Sequence, residues 1–190
     1  VIYDELEGKE AVTWSYLLHT VELPMEMKEL PNEVQVTGKN KAGGVSVAHL
    51  FSSAKTEQAI ADTFFCAPTN WKNVTNAQGK ALKYPNHWHF SSTTVPCKVA
   101  RFLTVMDTHG NNRPDMKVVR NGNTVQVGDW VINCNLTEKG KAAITVTNKS
   151  EKVSLNYDAG KKEGATIVTD QIKGKQISKV LTDYLPDFEI

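Results

Sequence analysis

Met116-Lys117-Val118-Val119-Arg120-Asn121-Gly122-Asn123-Thr124-Val125-Gln126-Val127 holds the turn on which the fold is read. Two β-branched runs flank Asn121-Gly122, and a two-residue hairpin of type I′ needs positive φ at both central positions, which Asn and Gly tolerate best. The spacing therefore predicts an antiparallel hairpin here. Outward from it the period of two recurs. It runs through 12–19, 33–37, 44–51, 87–94 and 98–106 on one side, and through 129–133, 142–147, 152–155 and 165–169 on the other. Lys139-Gly140-Lys141 and Lys173-Gly174-Lys175 read as further corners. Helical periodicity is nearly absent, and its one candidate, 54–61, reads equally well as a loop and an edge strand. Ten or more short strands with such corners predict an all-β fold, an antiparallel β-sandwich of two stacked sheets with little helix.

The first residues, Val1-Ile2-Tyr3-Asp4-Glu5-Leu6-Glu7, already alternate, with Val1, Tyr3 and Glu5 on one face and Ile2, Asp4 and Leu6 on the other. A chain that opens inside a strand is expected to come from a larger parent, and an unpaired first strand to find a partner, a second copy of the chain included. Residues 1–190 are expected to form one β-sandwich domain, with an internal seam near 108–114, where Thr108-His109-Gly110-Asn111-Asn112-Arg113-Pro114 breaks the pattern. The other break, 67–85, contains Trp71, Gly79 and Pro85. Irregular stretches of that length usually carry function or pack on a neighbour.

With 22 basic and 21 acidic side chains the net charge is +1, so no strong field points to nucleic acid or to an anionic membrane as partner. No segment has the apolar length of a membrane helix. A chain that is 40% hydrophobic and 23% charged can bury a core without metal or disulfide staples. Cys66, Cys97 and Cys134 cannot all pair with one another, and their spacings match no zinc motif; each is expected as a small buried hydrophobe. Their count leaves the redox compartment open.

His87-x-His89 is the sharpest local pattern, because residues i and i+2 of a strand share a face and two imidazoles there could hold one side of a metal ion. The other histidines stand one to a strand or loop, so the ordinary reading, a polar strand face, is adopted and no metal site is predicted. Trp88 between them should point into the core. Trp71, with Lys72 beside it, could offer a ring platform and a cation to a glycan, or could pack against a neighbouring domain. The carbohydrate-binding candidates are thus Trp71, Lys72, His87 and His89. No Gly-x-Ser-x-Gly turn and no Cys–His context is present, nothing selects a pair from Asp4, Glu5 and Glu7, and Lys41-Ala42-Gly43-Gly44 lacks a phosphate-loop continuation. No catalytic residue and no cofactor is predicted. Asn73, Asn135 and Asn148 fit the N-glycosylation pattern, a weak signal.

Tyr3-Asp4-Glu5-Leu6-Glu7 followed by Val12-Thr13-Trp14-Ser15-Tyr16-Leu17-Leu18-His19-Thr20 resembles the C-terminal β region of the heparinase II/III-like polysaccharide lyases. His87-Trp88-His89-Phe90-Ser91-Ser92-Thr93-Thr94, then Ala100-Arg101-Phe102-Leu103-Thr104-Val105, is similar to that family's later paired strands. The resemblance covers about the first 110 residues. It implies a bacterial, periplasmic or secreted parent with an α-helical toroid before the β region. Such a parent acts on uronate-containing polysaccharides such as glycosaminoglycans by β-elimination: a base takes the C5 proton, a neighbour neutralises the carboxylate and an acid protonates the leaving oxygen. The family's catalytic Tyr and His and its structural zinc ligands lie before the matching block, and nothing here corresponds to them. The implied role is non-catalytic support of a preceding catalytic domain, with an acidic polysaccharide as the parent's substrate; the alternative is a carbohydrate-binding or adhesion sandwich without lyase activity.

Overall fold

The computed structural model describes residues 1–20, 23–62, 76–80, 88–160, 166–172 and 175–181, and every regular element among them is a strand. Five strands form the middle layer, in the order β1 (Ile2–Val12), β8 (Cys97–Gly110), β5 (Gly44–Ser52), β4 (Glu33–Lys39) and β3 (Glu26–Leu30). A three-stranded sheet, β2 (Ser15–Thr20), β7 (Trp88–Thr94) and β6 (Thr56–Ala61), covers one face. The other face carries a seven-stranded sheet, with β9 (Val118–Asn121) at one edge, followed by β10 (Thr124–Val127), β11 (Trp130–Cys134), β12 (Ala143–Asn148) and β13 (Val153–Asp158). Its remaining strands are β14 (Thr166–Ile172) and, at the far edge, β15 (Lys175–Leu181). All pairings are antiparallel. The antiparallel sandwich expected from the alternation is formed, and a third sheet extends it.

Alternation in β8 explains why the middle sheet holds both neighbours. Ala100 and Phe102 enter one core with Val34, Val36, Leu50 and Phe90. Leu103 and Val105 enter the other with Phe51, Val125, Ile132 and Ile144. A strand covered on both faces has no solvent side, so its sequence reads as nearly continuous apolar residues rather than as a clean alternation. Tyr3 and Leu6 of β1 divide between the two cores in the same way, as their spacing requires. The chain passes from the middle sheet to the seven-stranded one between Gly110 and Val118.

The β9–β10 hairpin forms, but its register differs from the expected one. Asn121 pairs with Thr124, so the two turn residues are Gly122 and Asn123. Only Gly122 has positive φ (59°), which is what a type II′ turn asks of its first residue, whereas type I′ needs both. Residues 56–61 resolve as the edge strand β6, not a helix. Strand β3 was not expected: all five of its residues are exposed, so no alternation marks it. A close approach joins the middle and three-stranded layers, where a Cβ on Gly38 would lie 2.7 Å from Thr20 Cγ2. Any side chain there would force Thr20 to shift.

Candidate functional site

Trp71, Lys72, His87 and Cys66 lie outside the described residues. His89, on β7, faces His19 directly across the β2–β7 ladder, with ring centroids 6.0 Å apart. Among the described residues, then, the imidazole partner of His89 comes from the neighbouring strand. No group of three or more metal-ligating side chains forms among them. Trp88 packs against the core beneath, as its position between the two histidines requires. Cys97 and Cys134 are buried free thiols.

The charged side chains that matter to the architecture are at the junction of the middle and seven-stranded sheets. Arg101 projects from the centre of β8 and is 1% exposed. Its register partner on β1 is Glu5, whose carboxylate accepts from Nε at 2.6 Å and lies 2.5 Å from Nη2. The remaining donors reach main-chain carbonyls of the loop after β11: Thr137, Lys139 at 3.2 Å and Gly140 at 2.7 Å. One guanidinium thus ties β1, β8 and the 137–140 loop together. The fork of fixed donors is what allows Arg, and not Lys, to do so.

A second knot closes the crossing between sheets. Asp107, buried on β8, accepts from both terminal nitrogens of Arg113 and from the Met116 amide at 2.8 Å. Those bonds, with Arg113 first among them, hold its carboxyl below the usual carboxylate range. His109 adds contacts to the Gly110 carbonyl at 2.6 Å and to Asp115 at 3.0 Å. Residues 107–116 are therefore stapled where the sequence had only a break in pattern.

Among the described residues a cleft of ≈ 940 Å³ lies between β1 and β8 on one side and β10 to β13 on the other, with Tyr3, Met116, Trp130, Ile144, Leu155 and Tyr157 among its lining residues. Its chemistry is that of an apolar slot. The Tyr3 hydroxyl donates to the Asn135 carbonyl at 2.7 Å, and burial pushes its pKa up to about 12, against the opposing pull of Arg101. Nearby in the same core, burial pushes the Cys134 thiol up to about 11, opposed by Arg120. Glu5, the carboxylate in the lining, is held by Arg101. The upward shifts keep Tyr3 and Cys134 in their neutral forms at neutral pH.

These shifts have a consequence for alkaline stability. The fold favours the neutral Tyr3 and Cys134, whose ordinary values are 10.0 and 9.0. The stabilisation is complete below about pH 9 and is lost as pH rises toward about 12. Urea unfolding followed from neutral pH upward is expected to show a decline that begins near the thiol range and is shallower in Tyr3→Phe. A variant whose alkaline profile superimposes on the wild type would show that Tyr3 contributes nothing to it.

The glycosylation patterns meet structural roles. Asn135 Nδ2 donates to the Lys139 carbonyl at 2.8 Å and to the Lys141 carbonyl at 3.0 Å. Asn148, 4% exposed, accepts from Ser150 and from the Glu151 amide. Both side chains shape turns in the folded state, while Asn73 lies outside the described residues. No family model matches the chain, and no curated protein matches it either.

Proposed function

We propose that this chain is a non-catalytic β-sandwich module of a heparinase II/III-like polysaccharide lyase, supporting a catalytic domain that cleaves uronate-containing polysaccharide by β-elimination. The reading draws its main support from how the four resembling blocks assemble. Tyr3–Glu7 and Ala100–Val105 lie side by side as β1 and β8, with Glu5 opposite Arg101; Ser15–Thr20 and Trp88–Thr94 lie side by side as β2 and β7, with Leu18 opposite Phe90. Segments about seventy to one hundred residues apart in sequence are thereby neighbours, and their polar groups hold the body together: Arg101 grips Glu5 and the 137–140 loop, and Tyr3 grips Asn135. On this reading acid, base and any structural zinc belong to a preceding region, and the module contributes rigidity. A periplasmic or secreted setting follows from the family alone.

The second reading, a carbohydrate-binding sandwich with no lyase attached, is favoured by a polar pocket where the three sheets meet, taken up below. The coding sequence upstream separates the two: a toroid-type helical stretch with a Tyr/His set selects the first. Incubation of the purified protein with heparin, heparan sulfate or alginate is expected to yield no unsaturated uronate absorbance. Its appearance would overturn the non-catalytic assignment.

A further inference from the structure

At one end of the body the three sheets meet around a pocket of ≈ 400 Å³ whose lining is mostly polar side chains and turns. The middle sheet contributes Asn32 and Glu33, the three-stranded sheet Gln58 and Ser92, and the seven-stranded sheet Arg120. Arg120 is on the edge strand β9 and is half-buried. Its guanidinium lies 5.5 Å from the Phe51 ring centroid. Nε donates to the Gly122 carbonyl at 2.8 Å and Nη1 to the Asn32 carbonyl at 3.3 Å. The guanidinium is thus held in one orientation. Yet among the described residues no carboxylate lies within ion-pair distance of it. The pocket's inner acid, Glu33, is engaged instead by His49 at 2.6 Å.

A stacked arginine with free donors, fixed at the wall of a polar pocket, is arranged for a planar anion. Besides Glu33, the lining holds the carboxylate of Glu29, which is exposed on β3; its other polar groups include hydroxyls and amides. Ser52 and Ser53 accept main-chain amides from Ala54 and Arg101, which leaves each hydroxyl proton free to donate. Gln58 directs its amide nitrogen to Thr56 at 2.7 Å and toward Ser92 at 3.4 Å, leaving its carbonyl oxygen as an acceptor. Lys55 adds a second, exposed cation in the lining. A bare inorganic anion would use Arg120 and leave these neutral groups without a role.

We propose that this pocket binds a carboxylate-bearing polyol of monosaccharide size, the carboxylate on Arg120 and the hydroxyls on the Ser52, Ser53 and Gln58 side chains. The choice of a sugar acid as ligand rests on the polysaccharide reading above; the anion-binding geometry stands without it.

Calorimetric titration of the whole chain with glucuronate, glucose and inorganic sulfate tests the assignment. Glucuronate is expected to bind saturably, and glucose and sulfate each about tenfold or more weaker, because a lost charge-assisted bond or a lost set of neutral ones is worth at least that factor. Arg120→Gln should weaken glucuronate binding about tenfold or more, the effect of removing one charge-assisted contact. Lys55→Gln, on the exposed rim and a change that leaves the main-chain bond from the Val95 amide to the residue 55 carbonyl in place, should weaken it by a smaller factor. Circular dichroism should match the wild type in both. Absence of saturable glucuronate binding, equal affinity for glucose or sulfate, or glucuronate affinity unchanged in Arg120→Gln would each overturn the proposal. None of these outcomes touches the lyase-module reading, which the unsaturated-uronate assay and the upstream sequence decide separately.

Discussion

Arg101→Met is expected to lower the unfolding free energy by about 3–5 kcal/mol, the range for breaking a buried ion pair from one side. The side chain it removes is almost wholly buried, so water cannot replace what is lost. Glu5 would keep its charge next to an apolar thioether, and the carbonyls of Thr137, Lys139 and Gly140 would lose the donors that now satisfy them. Each orphaned acceptor carries a desolvation cost of its own. Urea denaturation of wild type and variant measures the difference directly. Adding Glu5→Gln to Arg101→Met should recover part of the loss, since it removes the stranded charge but not the stranded carbonyls. A loss below about 1 kcal/mol, as surface pairs show, would mean that the guanidinium is not the junction described above.

Phe102→Ala and Leu103→Ala are expected to cost about 3–5 and 2–5 kcal/mol respectively, the ranges for emptying core positions of those sizes. They are consecutive on β8 and fall in different cores, Phe102 against the three-stranded sheet and Leu103 against the seven-stranded one. Phe102 additionally loses the ring of Tyr16, whose centroid is 5.6 Å away. Because one strand supplies both cores, loosening either side should loosen β8 itself. A single unfolding transition is therefore expected in both variants, shifted to lower denaturant. Two separated transitions in either one would show that the outer sheets melt independently of the middle layer.

Much of the fold was legible in the sequence, and the reason is local. The period of two in 44–51 and 98–106 follows from strand geometry alone, and the β9–β10 hairpin from the conformational freedom of Gly122. What local pattern cannot carry is register and layer order. The turn lies one residue later than the dipeptide suggested, because pairing of Asn121 with Thr124 is set by the packing of β10 on β11 as well as by the turn. Strand β3 left no trace, since an exposed edge strand needs no apolar alternation.

The candidate sites divide in the same way. The paired-histidine pattern was visible because it is a spacing along the chain; the neighbour His89 meets among the described residues, His19, is separated from it by seventy positions and is chosen by the β2–β7 ladder. Arg101 did leave a signal, a lone charge inside Val99-Ala100-Arg101-Phe102-Leu103, but its partners come from β1 and from a loop beyond β11. Arg120 was not singled out in the sequence. Its lack of a carboxylate partner among the described residues and its place over Phe51 exist only once the edge of the seven-stranded sheet meets the middle one. By itself, then, the sequence determined that this chain makes strands and where most of them lie, because side-chain alternation is a property of neighbours along the chain. The tertiary structure alone decided which charges are satisfied and which are left facing a pocket, because those distances depend on how separate sheets stack.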